Sequence, residues 1–126
     1  MDENRIGGIV VDCAVKLHMA TGPGLLESVH EKMLVRMLVN RGLQAQRQVP
    51  VPITFEGEHF DLGFRADIIV ENKVILELKS IERLSPVHKK QLLTYLKLTK
   101  LKVGYLLNFG APLMKEGITR LINGTL

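Results

Sequence analysis

The sequence predicts an α/β fold in which a mixed central β-sheet is flanked by helices. Two stretches near the start and one after Ser85 carry apolar residues at helical spacing. The middle of the chain instead alternates, or runs apolar in β-branched residues. The resulting order is helix, helix, strand, strand, strand, helix, strand. At 126 residues, 1–126 reads as a single domain with one core and no separate recognition module. If the strands on either side of the third helix are parallel, their connection is a right-handed βαβ crossover.

The first helix runs from about Glu3 to Met19, with Ile6, Ile9, Val10, Cys13, Ala14 and Leu17 on one stripe. Cys13 therefore reads as a buried structural thiol. As the only cysteine it excludes an intramolecular disulfide and a Cys-rich zinc site. His18, near the end of this helix, reads as structural. Thr21-Gly22-Pro23-Gly24 turns the chain into a second helix from about Leu25 to Asn40, stopped by Arg41-Gly42. Leu26, Val29, Met33, Met37 and Leu38 are its expected core face. Glu27 lies in its first turn, where the macrodipole favours a carboxylate. His30 and Glu31 follow at i+3 and i+4 on nearly the same side.

Gln44 to Glu56 reads as a strand. Its Pro50 and Pro52 cannot donate to a ladder, which puts it at a sheet edge or makes it irregular. Glu56-Gly57-Glu58 turns it into a strand from Phe60 to Val70, and Val74 to Lys79 is the central strand. Ser85 as N-cap and Pro86 at N1 open a third helix that continues to about Leu98. Leu101 to Phe109, apolar on both faces, suits an interior strand. Ala111 to Leu126 reads as an irregular tail in which Arg120-Leu121-Ile122 adds at most one last strand.

The chemistry concentrates between Arg65 and Lys79. On alternating strands Arg65, Asp67 and Ile69 share a face, as do Ile75, Glu77 and Lys79. A short hairpin places Asp67 opposite Glu77, with Lys79 one step beyond. Two carboxylates on strands otherwise suited to burial disfavour each other's ionisation unless a cation compensates. A divalent metal held by Asp67 and Glu77, with Lys79 nearby, provides that compensation. The competing reading is a solvated hairpin face on which Glu77 and Lys79 form an ordinary surface pair. Ile69 and Ile75 on the same face favour the first.

Asp67 followed after a hairpin by Glu77-Leu78-Lys79 resembles the core of the PD-(D/E)XK nuclease superfamily. Gly24-Leu25-Leu26-Glu27-Ser28-Val29-His30 resembles the signature of its GxxExxY family, and Gln91-Leu92-Leu93-Thr94-Tyr95 the QxxxY element of its RecB-like branch. The similarity runs from about Ile6 to Asn123, with His30 in place of the signature Tyr and Ala66 in place of the Pro. The resemblance implies a restriction-endonuclease-like core and metal-dependent cleavage of nucleic acid, DNA before RNA. It implies Glu27 as a ligand directly or through water, beside Asp67, Glu77 and the backbone carbonyl of Leu78. It further implies that Gln91 faces the metal's water or the scissile phosphate, and that Tyr95 faces the nucleic-acid backbone. Lys89 and Lys90 would add positive charge there. His30 would orient Glu27 or touch substrate, or else fill the Tyr position as a half-buried side chain.

Oxygen ligands of this kind suit Mg²⁺ or Mn²⁺. Lys79 would position or deprotonate the attacking water, or stabilise developing charge. The alternative is a catalytically silent nucleic-acid-binding or oligomeric interaction module on a nuclease-like fold. A net charge of +4 and a pI of about 9.4 are compatible with a polyanionic partner without demanding one. A small domain of this class is expected to form a homodimer. No apolar run approaches the roughly 18 residues of a membrane span, and the acidic start Met1-Asp2-Glu3-Asn4 is no signal peptide. Together with the single cysteine this makes the cytoplasm the expected location and a membrane partner unexpected.

Overall fold

Helix α1 (Glu3–Thr21) begins where the Asp2 carboxylate accepts the Arg5 N–H at 2.8 Å, a side-chain cap on a group that the helix itself leaves unpaired. Its apolar stripe is buried as the periodicity predicts: Ile6, Val10, Cys13, Ala14 and Leu17 all lie in the core. Gly7 lets Tyr105 lie against the helix, since a Cβ there would collide with the phenol oxygen. The computed structural model describes all residues, Met1–Leu126. It continues with α2 (Glu27–Asn40), β1 (Ala45–Phe55), β2 (Glu58–Val70), β3 (Val74–Lys79), α3 (Pro86–Thr99), β4 (Val103–Asn108), α4 (Met114–Gly117) and β5 (Ile118–Ile122).

The five strands form one mixed sheet in the order β1-β2-β3-β4-β5. Neighbours are antiparallel except β3 and β4, which run parallel with α3 as their connection. This is the restriction-endonuclease-like α/β arrangement. Proline-bearing β1 lies at an edge, pairing with β2 alone. Ser85 caps α3 in a reciprocal box with His88, and Pro86 occupies the first turn. The tail is more regular than expected: α4 turns the chain so that β5 pairs antiparallel with β4 and closes the other edge.

Helices cover both faces. On one face α1 and α2 pack on Ile68, Val70, Val74, Leu76, Leu78 and Val103. On the other, Leu92 and Leu96 of α3 pack on Ile69, Ile75 and Leu106. Two expectations about facing fail. In α2 the buried residues are His30, Glu31, Leu34 and Leu38, while Leu26 and Met33 are exposed, so the helix is rotated relative to its apolar periodicity. In β2, strict alternation would separate Ala66 from Ile69, yet both join the α3-side cluster. The facing inverts at Asp67. The register on either side, Arg47↔Ile68 and Val49↔Ala66, sets Asp67 opposite Gln48, whose φ of 51° is left-handed. Asp67 therefore lies at an irregularity rather than on a regular strand face shared with Arg65 and Ile69.

Candidate active site

Strands β2 and β3 pair only over Ile68–Val70 and Val74–Leu76, then part. Two carboxylates bridge the fork. Glu77 Oε2 accepts the Asp67 N–H at 2.8 Å, and Asp67 Oδ2 accepts the Leu78 N–H at 2.9 Å. Each acid thus satisfies a backbone donor of the opposite strand where the ladder has opened. Glu77 is only 7% exposed. Burial, reinforced by the Asp67 charge, pushes its carboxyl up to about 8. Burial also raises Asp67, against the Leu78 N–H, Lys79 and Gln48, which favour its ionised form.

Lys79 is half-buried, forms no ion pair within contact distance, and lowers both carboxyls through its charge. From α3, Tyr95 approaches the same acids: burial, then the charges of Glu77 and Asp67, raise its phenol. Its ring stacks on Phe64 at 3.8 Å between centroids and 2° between planes. Leu78 buries its side chain on the opposite face, so only its backbone is available to the fork.

The acid that α2 brings inward is Glu31, 3% exposed, rather than Glu27. Gln48 Nε2 donates to Glu31 Oε1 at 2.9 Å. Arg47 Nε stands 3.0 Å from the same oxygen with its N–H directed elsewhere, an ion pair without a hydrogen bond. Burial raises Glu31, and its charge contributes to raising Glu77. Glu27, expected at the metal, is exposed as the first residue of α2 and forms neither hydrogen bond nor ion pair. It lies about one turn outward from Glu31, about 6 Å along the axis. No three His, Cys, Asp or Glu side chains are grouped closely enough to hold a metal by themselves.

His30 is fully buried, stacks on Phe109 at 4.3 Å and has its Nε2 3.0 Å from Thr21 Oγ1. Burial lowers its pKa, with the charge of His18 acting in the same direction. It is a core residue and offers no surface to nucleic acid. Gln91, Lys89 and Lys90 are exposed on α3. Gln91 has no protein hydrogen-bond partner, and Lys89 borders a separate cleft with Glu82, Arg83 and Glu116. Arg47, Gln48 and Phe64 are residues that sequence reasoning passes over, and Glu31 one that it notes without giving it a role. For Glu31 the available signal is its i+4 spacing from Glu27.

A buried Glu77 and a half-buried Asp67, both raised by burial and supplemented by a backbone carbonyl, suit a hard divalent cation, which keeps several waters and needs only one or two acidic ligands. A restriction-endonuclease-like sheet with a paired Asp and Glu at a strand fork and a lysine two residues on defines a nuclease-type fold. Residues 4–121 match the PD-(D/E)XK nuclease superfamily, and the chain belongs to it. A crystal structure of SSO0001 is similar over 96% of this chain and 79% of that one, at a TM-score of 0.46 and 16% identity. No curated protein matches in sequence. No helix is long and apolar enough to cross a membrane.

Proposed function

We propose that this chain is a metal-dependent nuclease of the GxxExxY, RecB-like branch that hydrolyses phosphodiester bonds, with DNA as the first substrate to test. The observation that carries the reading is the fork: buried Glu77 and half-buried Asp67 brought together, with an uncommitted lysine beside them. Asp67, Glu77 and the carbonyl of Leu78 would hold Mg²⁺ or Mn²⁺. When bound, such an ion offsets charge at phosphorus and makes water more acidic.

The remaining work belongs to the chain. Lys79, whose ammonium has no carboxylate in contact, is free to orient the attacking water or to stabilise charge developing on the phosphate. Glu31 takes the part that the signature suggests for Glu27, adding negative charge behind the pair. Tyr95, fixed by Phe64, and the exposed amide of Gln91 face substrate from α3, with Lys89 and Lys90 contributing to a positive approach. The protein acts as a single nuclease-like domain, cytoplasmic and homodimeric.

The test is a cleavage panel of single-stranded, duplex and branched DNA and of RNA, with Mg²⁺, Mn²⁺ or EDTA, on wild type and Lys79→Ala. Cleavage is expected with metal only, with turnover lowered by ~10²-fold in Lys79→Ala and Mg²⁺ affinity retained. Nucleic-acid binding without cleavage under every condition would instead establish the silent binding module.

A further inference from the structure

Gln48 is the one position in the site where backbone and side chain are both unusual. Its φ of 51° lies in the left-handed region, disfavoured for a residue with a Cβ, and no turn demands it, because Arg47 and Val49 on either side pair regularly with β2. Strained backbone persists where the surroundings over-determine it and concentrates at functional sites. Here the consequence is visible: the strand facing inverts, and the residue opposite Gln48 is Asp67. Although Gln48 is exposed, its amide donates to the buried Glu31 carboxylate at 2.9 Å. The same amide also favours ionised Asp67. One residue thus holds the α2 acid by its side chain and faces the β2 acid across the strand pair, supplementing the Arg47 charge on Glu31.

We propose that Gln48 is a positioning residue of the metal site: its left-handed backbone carries the inversion that aims Asp67 into the fork, and its amide fixes the Glu31 carboxylate behind it. Gln48 touches neither metal nor substrate. It acts through Asp67, and the inference rests on the metal-site reading above.

The backbone and amide roles are separable by substitution. Gln48→Gly accommodates the left-handed conformation but removes the amide. Gln48→Met keeps the length of the side chain and the backbone strain but also removes the amide. Gln48→Asn tolerates left-handed backbone and retains an amide on a shorter stem. Mg²⁺ affinity is measured by calorimetry without substrate, alongside denaturation of the metal-free proteins and kcat against KM. Groups behind metal ligands typically govern affinity by 10–100-fold. Gln48→Gly and Gln48→Met are therefore both expected to weaken Mg²⁺ by ~10-fold and to lower kcat more than they raise KM. Their metal-free stabilities are expected to move in opposite directions, Gly up and Met down, while Gln48→Asn regains part of the lost affinity.

Mg²⁺ affinity within twofold of wild type in both Gly and Met variants would overturn the inference and leave the metal site intact. Affinity that merely follows stability, rising in Gln48→Gly and falling in Gln48→Met, would also overturn it, by assigning Gln48 a backbone role alone. Wild type that takes no Mg²⁺ would remove the metal-site reading and this inference with it.

Discussion

At Glu77 the fold tolerates a carboxyl whose burial pushes it up to about 8. A carboxyl raised in the folded state above its ordinary value of 4.5 binds more protons folded than unfolded between those two values. Metal-free protein should therefore lose stability as pH rises from 4.5 towards 8, by an amount on the order of a few kcal/mol, and level off above. Glu77→Gln should flatten that slope and be the more stable protein at pH 8 in EDTA, while its Mg²⁺ affinity falls. Denaturant titrations at several pH values check the first outcome and calorimetry the second; equal Mg²⁺ affinity in the two proteins would remove Glu77 from the metal site. His30 works in the opposite sense. Its pKa is lowered by burial, so the unfolded chain binds the extra proton, and the neutral ring's contribution is present above the usual 6.5 and lost as pH falls from there through the lowered folded value. Its Nδ1 has no partner, and its ring stacks on Phe109. His30→Phe keeps the stack without burying an unpaired nitrogen. It is expected to match or exceed wild-type stability at pH 8 and to exceed it clearly at pH 5, measured by urea unfolding at both.

On the scale of elements, α2 decides which acid turns inward. Its buried line runs through His30, Glu31, Leu34 and Leu38, whereas Glu27 emerges at the helix start. Glu27→Ala should leave stability within about 0.5 kcal/mol, as for surface positions generally, and cleavage near wild type. Glu31→Gln should lower cleavage by ~10-fold or more, on the scale expected for a group behind the ligands. The reverse ranking in a cleavage assay would return Glu27 to the site. This helix also shows where sequence reading stops. The hydrophobic periodicity of α1 survives intact because its buried face is wholly apolar apart from its last turn. In α2 a histidine and a glutamate occupy the inward face, so an apolar stripe drawn through Leu26 and Met33 falls out of phase. The hairpin from Asp67 to Lys79 was legible because Val74–Lys79 alternates regularly and Asp67 falls opposite Glu77 by counting. The fork beyond Ile68 was not, since the strands part through an exchange of carboxylates for ladder bonds. Nor was the inversion at Gln48, because the left-handed conformation falls on a residue type with no strong preference for it.

For the molecule as a whole, two exposed surfaces suit the proposed homodimer. Beyond Ala66, β1 and β2 pair only with each other and leave the sheet as a two-stranded ribbon, closed by left-handed Glu56 and Gly57. The ribbon exposes Phe55, Phe60 and Leu62 beside Glu56, Glu58 and Asp61, an acidic tip that would repel a phosphate backbone. The outer face of α2 carries the complementary chemistry: a shallow groove of Lys32, Met33, Arg36 and Val39, apolar and basic. The pairing of acidic aromatic tip with basic apolar groove favours a second copy of this chain, with each ribbon on the partner's α2, since twofold exchange makes both contacts at once. Wild type is then expected to be a dimer by light scattering across the micromolar range. Lys32→Glu with Arg36→Glu should dissociate it, as should Glu56→Lys with Glu58→Lys. Mixing the two charge-reversed proteins should restore association, because both ribbon–groove contacts of the mixed dimer then carry opposite charges. All four substitutions in one chain should restore the dimer fully. A monomeric wild type would dismiss the dimer, and a dimer indifferent to both reversals would place its interface elsewhere on the surface.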